Sequence, residues 1–185
     1  MNFEIIEATN DHRGVLRALF ELYAHDFSPM TGADVNEHGH YTEENFLEGW
    51  WDDGGPAFHP FLLKTEDNKW VGFALIEQGS YIMSDEDRHW LMEEFFVVRK
   101  YRGQGVGEWF ARELFDRFPG VWEVGEIHAN TDAQRFWRKV IGRYTDGKFD
   151  DVIVNNDRWA GPVQRFDTQS GFYRRGAERT ERTDE

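Results

Sequence analysis

The residues best equipped for chemistry form one run, Arg99-Lys100-Tyr101-Arg102-Gly103-Gln104-Gly105-Val106-Gly107. Glycines at 103, 105 and 107 let backbone come close to a ligand and adopt conformations that a Cβ would block. Where such a turn opens a helix, the first-turn amides have no internal partner and, with the helix dipole, form an anion site. Arg99, Lys100 and Arg102 add positive charge in a chain that is otherwise acidic. The pattern therefore favours a phosphate-bearing ligand. Two familiar phosphate loops fit badly. The kinase and ATPase loop needs Lys-Ser or Lys-Thr after its last glycine, and here Glu108-Trp109 follows. The dinucleotide fingerprint needs G-x-G-x-x-G on a first strand, and this is G-x-G-x-G in mid-chain. A glycine turn alone most often only lets a strand pack on a helix. Strand, basic triplet, glycines and helix together favour a site.

The elements that must position this run can be read from periodicity. Residues 90–98, WLMEEFFVV, form an apolar strand that delivers the chain to the turn. The helix that leaves it runs from about 105 to 117, with Val106, Trp109, Phe110, Leu114 and Phe115 on its buried stripe, and Pro119-Gly120 ends it. A strand is predicted at 121–129, then a helix opened by Asn130 with Ala133, Phe136, Trp137 and Val140 on one face, ending near Gly142. A helix between strands 90–98 and 121–129 makes them parallel neighbours with a right-handed crossover. Upstream, 2–8 reads as a strand, and Asn10 or Asp11 caps a helix that carries Val15, Leu16, Leu19, Phe20 and Tyr23 and ends near 25. Residues 27–40 read as a loop. Thr42, Asn45, Phe46, Leu47, Trp50 and Trp51 suggest a short second helix, stopped at 52–56. Strands follow at 58–65 and 69–78, joined by a turn at 66–68, and 79–88 is a polar connection. Strands at 143–154 and 162–168 close the chain's order, the latter with an option to pair with a second subunit. The fold class is a mixed α/β domain over 1–168, with a charged, flexible tail at 169–185.

The 185 residues carry 35 acidic and 21 basic side chains, a net charge of −14. Nucleic acid and anionic membranes repel such a chain, whereas cationic partners suit it. The absence of cysteine excludes disulfides, iron–sulfur clusters and thiolate zinc sites. No apolar run is long enough to span a membrane, and the start lacks the pattern of a secretory signal, so a cytoplasmic protein is expected. Lysine is scarce, at five of the 21 basic positions, which hints at a saline setting or a GC-rich genome.

With these elements in place, the chain resembles the GCN5-related N-acetyltransferase superfamily. Arg102-Gly103-Gln104-Gly105-Val106-Gly107 matches that family's Gln/Arg-x-x-Gly-x-Gly/Ala signature for the acetyl-CoA pyrophosphate. Met92-Glu93-Glu94-Phe95-Phe96-Val97 resembles the strand before it. Asn130-Thr131-Asp132-Ala133 with Phe136-Trp137-Arg138-Lys139 resembles the later helix. The resemblance spans about residues 2–168. It implies the acyl-CoA N-acyltransferase fold, a mostly antiparallel sheet with flanking helices, in which the strand before the glycine loop splays from its parallel neighbour and pantetheine lies in the gap. It further implies that Phe96, Val97 and Val98 offer backbone groups to the cofactor, that Arg102, Gly103, Gln104, Gly105, Val106 and Gly107 hold its pyrophosphate, and that Asn130 contacts it from the other side. The co-substrate is acetyl-CoA, with no metal.

Acetyl transfer to an amine needs the amine neutral when it attacks, so a base must take a proton. The family places a catalytic acid residue in the strand that here carries Glu93 and Glu94. Adjacent strand residues point to opposite faces, so only one can face the cleft. Glu93, grouped with Leu91, Phe95 and Val97, is the first choice and Glu94 the second. Many family members carry a tyrosine after the position of Phe136 that protonates the departing thiolate. Here Trp137 stands there, and an indole is no usable acid. Tyr144, Tyr101 and His128 are unranked replacements. Asp26, Phe27, Asp34, Glu37 and Tyr41 would suit a cationic, partly apolar acceptor. His38 and His40 lack a well-spaced third ligand for a metal. The expected function is N-acetyl transfer to the primary amine of a small cationic molecule, a protein amine being the second choice. The alternative is a non-catalytic acyl-CoA-binding or sensor module, which Trp137 keeps open.

Overall fold

The structure is a computed structural model that describes residues 2–43, 45–51, 57–82 and 89–169. The charged tail lies outside the described residues, except Gln169, as do most of the connection before residue 89 and the stop at 52–56.

Seven strands form one sheet in the order β1-β2-β3-β4-β5-β7-β6. They are β1 (Phe3–Glu7), β2 (Phe58–Thr65), β3 (Trp70–Gln78), β4 (His89–Val97), β5 (Val121–Gly125), β6 (Asp150–Asn155) and β7 (Ala160–Asp167). The helices are α1 (Arg13–Thr31), α2 (Val106–Arg117) and α3 (Thr131–Tyr144). All neighbouring strands are antiparallel except β4 and β5, which pair in parallel as the intervening helix requires. Alternate residues of the central strands feed two cores. Leu63, Ala74 and Ile76 meet α2 and α3 on one face, and Leu62, Phe73 and Leu75 meet Leu16, Leu19 and Phe20 of α1 on the other.

Several boundaries differ from the sequence reading. Helix α1 continues through Pro29 to Thr31, so 27–31 is not loop. Pro29 lacks the N–H that would reach the His25 carbonyl, and Ser28 Oγ donates to that carbonyl instead, at 2.8 Å. Gly32 then ends the helix in the left-handed conformation, φ 72°. The second helix shrinks to one 3-10 turn, Glu48–Trp50. Strand β5 stops at Gly125. Strand β7 lies between β5 and β6, hydrogen-bonded on both sides, so β6 holds the sheet edge and β7 has no free edge for a second subunit.

The feature that opens a cleft is the end of the β4–β5 pairing. It runs from His89↔Val121 to Met92↔Val124. Beyond it β4 continues to Val97 beside β3 alone, while the chain after β5 turns away toward α3.

Candidate functional site

Strand β4 enters a 3-10 turn at Arg99–Tyr101, and α2 starts at Val106 behind Gly105. Gly103 and Gly105 sit at φ +73° and +82° with open space where a Cβ would be, so conformation rather than crowding calls for glycine there. Gly107 differs. A Cβ would stand 3.3 Å from the Phe136 ring, so this glycine lets α2 approach α3.

The cationic flank is held by a residue from a distant element. Asp26 of α1 accepts hydrogen bonds from Arg99 Nε and Nη2 at 3.0 and 2.7 Å and from Arg102 Nη2 at 2.6 Å. The two guanidiniums hold its carboxyl below the usual range, against the opposing effect of its burial. Arg102 Nε also donates to the Val97 carbonyl at 2.5 Å. Asp26 is thus committed to the arginines and is not a free acceptor-binding acid. The groove at this turn has a volume of about 570 Å³ and is bordered by Phe96, Val97, Arg102, Gly103, Gly105 and Asn130. Asn130 caps α3, its Oδ1 accepting from Ala133 N at 3.1 Å.

A second cavity, about 420 Å³, lies on the α1 side of the same cleft. Glu93, Glu94, Phe27, Tyr41 and Trp159 are among its lining, which includes no lysine, arginine or histidine among the described residues. Tyr41 reaches it because Glu21 of α1 accepts from the backbone N–H groups of Tyr41 and Thr42, at 2.7 and 3.2 Å. Tyr23, Phe27, Phe95, Asn130 and Trp137 border both cavities, so the two meet there. Asp34 and Glu37 are exposed and border neither. No group of three metal-ligating side chains occurs among the described residues.

The two glutamates do not face opposite ways. In the β3–β4 ladder Leu75 faces Glu94 and the next residue, Ile76, faces Met92, so Glu93 is an extra residue in β4. This β-bulge breaks the alternation. Met92, Phe95 and Val97 pack toward α2 and α3. Leu91 packs with Tyr81, and Phe96 packs with the α1 core. Glu93, the extra residue itself, accepts from Tyr81 Oη at 2.7 Å. Glu94 accepts from the Tyr23 hydroxyl on α1. Both carboxyls therefore lie on the α1 side, and the grouping of Glu93 with Phe95 and Val97 is corrected.

Burial pushes the Glu94 carboxyl up to about 7, the Tyr23 hydrogen bond opposing this and the Glu93 charge adding to it. Burial also raises Glu93, against the stabilising Tyr81 hydroxyl. Glu77 of β3 is pushed up to about 7 by burial and by Glu93. Tyr23 and Tyr81 are raised by burial and by these carboxylates. A pocket that holds carboxyls near neutrality can take up protons at pH 7.

The replacement acids named from the sequence are elsewhere. Tyr144 is buried and donates to Asp116 at 2.7 Å. Tyr101 is buried against Phe3, and His128 is exposed. None of the three borders either cavity. Trp137 is 5% exposed and packs on Phe95 and Phe136 with ring centroids 5.0 Å from each. Sequence reasoning missed Tyr23 as a wall of both cavities, Tyr81 as the partner of Glu93, and Asp26 as the partner of the arginines. Each depends on contacts between distant segments.

Known structures share the fold. A GNAT-family acetyltransferase from Staphylococcus aureus Mu50 superposes with a TM-score of 0.60 at 12% identity, over 91% of this chain and 100% of its own. A GCN5-related N-acetyltransferase from Kribbella flavida gives 0.60 at 15%, over 89% and 97%. The spermidine N-acetyltransferase of Vibrio cholerae, in complex with CoA and spermine, gives 0.57 at 11%, over 90% and 95%. No curated protein sequence matches the chain. The sequence model of the acetyltransferase (GNAT) family matches residues 16–142, more than half of the chain, and the chain belongs to that family.

Proposed function

We propose that the protein transfers the acetyl group of acetyl-CoA to the primary amine of a small cationic molecule. The observation that carries this reading is the junction of two unlike cavities, a glycine-and-arginine groove on one side and an acidic, aromatic pocket on the other, with Tyr23 and Trp137 in their common wall. The groove fits a phosphate-bearing cofactor. Gly103 and Gly105 hold left-handed backbone at the start of α2, and Arg99 and Arg102 already bind a carboxylate there. Residues 96–98 and Asn130 would flank the pantetheine in the gap beyond Met92. Acetyl-CoA, when bound, supplies the acyl group as a thioester.

The chain's own groups supply the rest. Glu93 and Glu94 attract a cationic amine and accept its proton, which frees the nitrogen lone pair for attack. Phe27, Tyr41 and Trp159 give the acceptor an apolar wall and exclude water. Trp137 serves by packing. Among the described residues, Tyr23 is the hydroxyl-bearing side chain common to both cavities. The complex of a neighbouring fold with spermine supports a small amine as the class of acceptor.

The test is an amine panel with mass detection of the acetylated product and assay of free CoA. Acetyl-dependent product with cationic amines supports the reading. Tight acetyl-CoA binding without product from any amine would replace it with an acyl-CoA-binding module.

A further inference from the structure

Glu123 of β5 has no solvent exposure and borders neither cavity, yet its carboxyl is one of the most heavily engaged groups in the protein. Ser80 Oγ donates to Oε1 at 2.8 Å, and the Tyr81 N–H donates to Oε2 at 2.7 Å. His89 Nδ1 of β4 lies 3.3 Å from Oε1, and Arg165 Nε of β7 lies 4.0 Å from it. Enclosing a carboxyl this fully is costly unless donors converge on it. What the convergence fixes is the Ser80–Tyr81 turn.

Tyr81 is held at every other point as well. Its carbonyl accepts from Asn156 Nδ2 at 2.8 Å. Its ring lies against Trp159, centroids 4.7 Å apart. Both rings crowd the bare backbone of Gly125, where a Cβ would stand 2.8 Å from Trp159 and 3.0 Å from Tyr81. The remaining polar atom, Oη, donates to Glu93 Oε1 at 2.7 Å. A residue pinned at its backbone N–H, its carbonyl and its ring has little freedom left at its hydroxyl, so the Glu93 oxygen it meets is held too.

We propose that Glu123 is a positioning residue for Glu93, acting through Tyr81. The proposal rests on reading Glu93 as an acid–base group of the acceptor pocket. The other titratable groups facing Glu93 are Glu94 on its own strand, Glu77 on β3 and Tyr23 on α1.

The experiment is a carboxyl 13C titration of the free, full-length protein labelled at glutamate, with the Glu93 signal identified by its loss in Glu93→Gln. Tyr81→Phe removes one hydrogen bond to the carboxylate and should shift the Glu93 ionisation equilibrium about tenfold toward the protonated form. Glu123→Gln should move it in the same direction. Combined with Tyr81→Phe it should add nothing, because both act through one hydroxyl. Ser80→Ala perturbs the same carboxyl with less risk to folding and should give a smaller move of the same sign. An unmoved Glu93 titration in Ser80→Ala and Glu123→Gln, with only a lower melting temperature, would show that Glu123 is merely structural and overturn the proposal. So would an unmoved titration in Tyr81→Phe. The readout needs no acceptor, so failure of the parent protein to acetylate any amine would refute the proposed function and leave this result standing.

Discussion

Replacing Glu94 with glutamine should make the protein more stable in alkali while leaving it nearly unchanged in acid. Folded Glu94 releases its proton near 7, against an ordinary value of 4.5 in the unfolded chain. Between those values the folded state holds more protons than the unfolded one, so stability falls as pH rises through the window. At about 1.36 kcal/mol per pH unit the gap corresponds to roughly 3 kcal/mol. Glu94 borders an open cavity, and water there reduces the figure to about 2 kcal/mol. Glutamine keeps the shape of the protonated side chain and has no charge to bury. Urea unfolding at pH 4, below both values, and at pH 8.5 should then show nearly coincident curves at the lower pH and, at the higher, a variant more stable by about 2 kcal/mol. In melting temperature this is roughly 4–8 °C for a chain of this size. Equal stability differences at both pH values would refute the reasoning, because they would mean that Glu94 ionises alike in the folded and unfolded chain.

Glu93→Gln should lower turnover by roughly two to four orders of magnitude, the range for loss of a general base, with acetyl-CoA affinity unchanged by calorimetry; parent-like turnover in this variant and in Glu94→Gln would remove both from the mechanism. Gly105→Val forces a β-branched residue to φ +82° and should abolish the melting-temperature rise given by acetyl-CoA, and an undiminished rise would displace the cofactor from this turn. Asp26→Asn withdraws the anion that occupies Arg99 and Arg102 and should tighten CoA binding several-fold at low salt, whereas weaker binding would mean that Asp26 orients the arginines rather than competing for them.

The parts of the site written in contiguous residues were legible in the sequence. The glycine turn could be read because left-handed backbone at 103 and 105 is a local demand. The parallel β4–β5 pair followed from one intervening helix. Glu93 and Glu94 stood out because they interrupt an apolar strand, but their directions did not, since a bulge depends on how β3 pairs and leaves no mark in the alternation of β4 itself. The extent of α1 was hidden for a similar reason. Ser28-Pro29 reads as turn chemistry until the serine hydroxyl is seen to satisfy the carbonyl that the proline leaves open. Asp26 looked like one more acid in an acidic chain, and only the packing of α1 across the sheet brings it to the arginines. Tyr81 and Glu123 gave no signal, because a tyrosine in a polar connection and a glutamate in a strand are both ordinary.

The extra residue in β4 falls where that strand parts from β5. The last parallel pair is Met92↔Val124, and the bulge is the next residue. Cleft and acid pair therefore meet at one point of the strand, where the added residue follows the last parallel pair. Deleting one residue at 93 or 94 would restore strict alternation, and the remaining carboxyl would keep a place in the ladder while losing its companion. Segments taken from relatives and grafted across this point must match in residue count as well as in type. A graft one residue short would place Phe95 and Val97 correctly against α2 and α3 and still deliver one acid where this strand supplies two. Length at this position is thus a heritable property of the site in its own right, separate from the identity of any side chain.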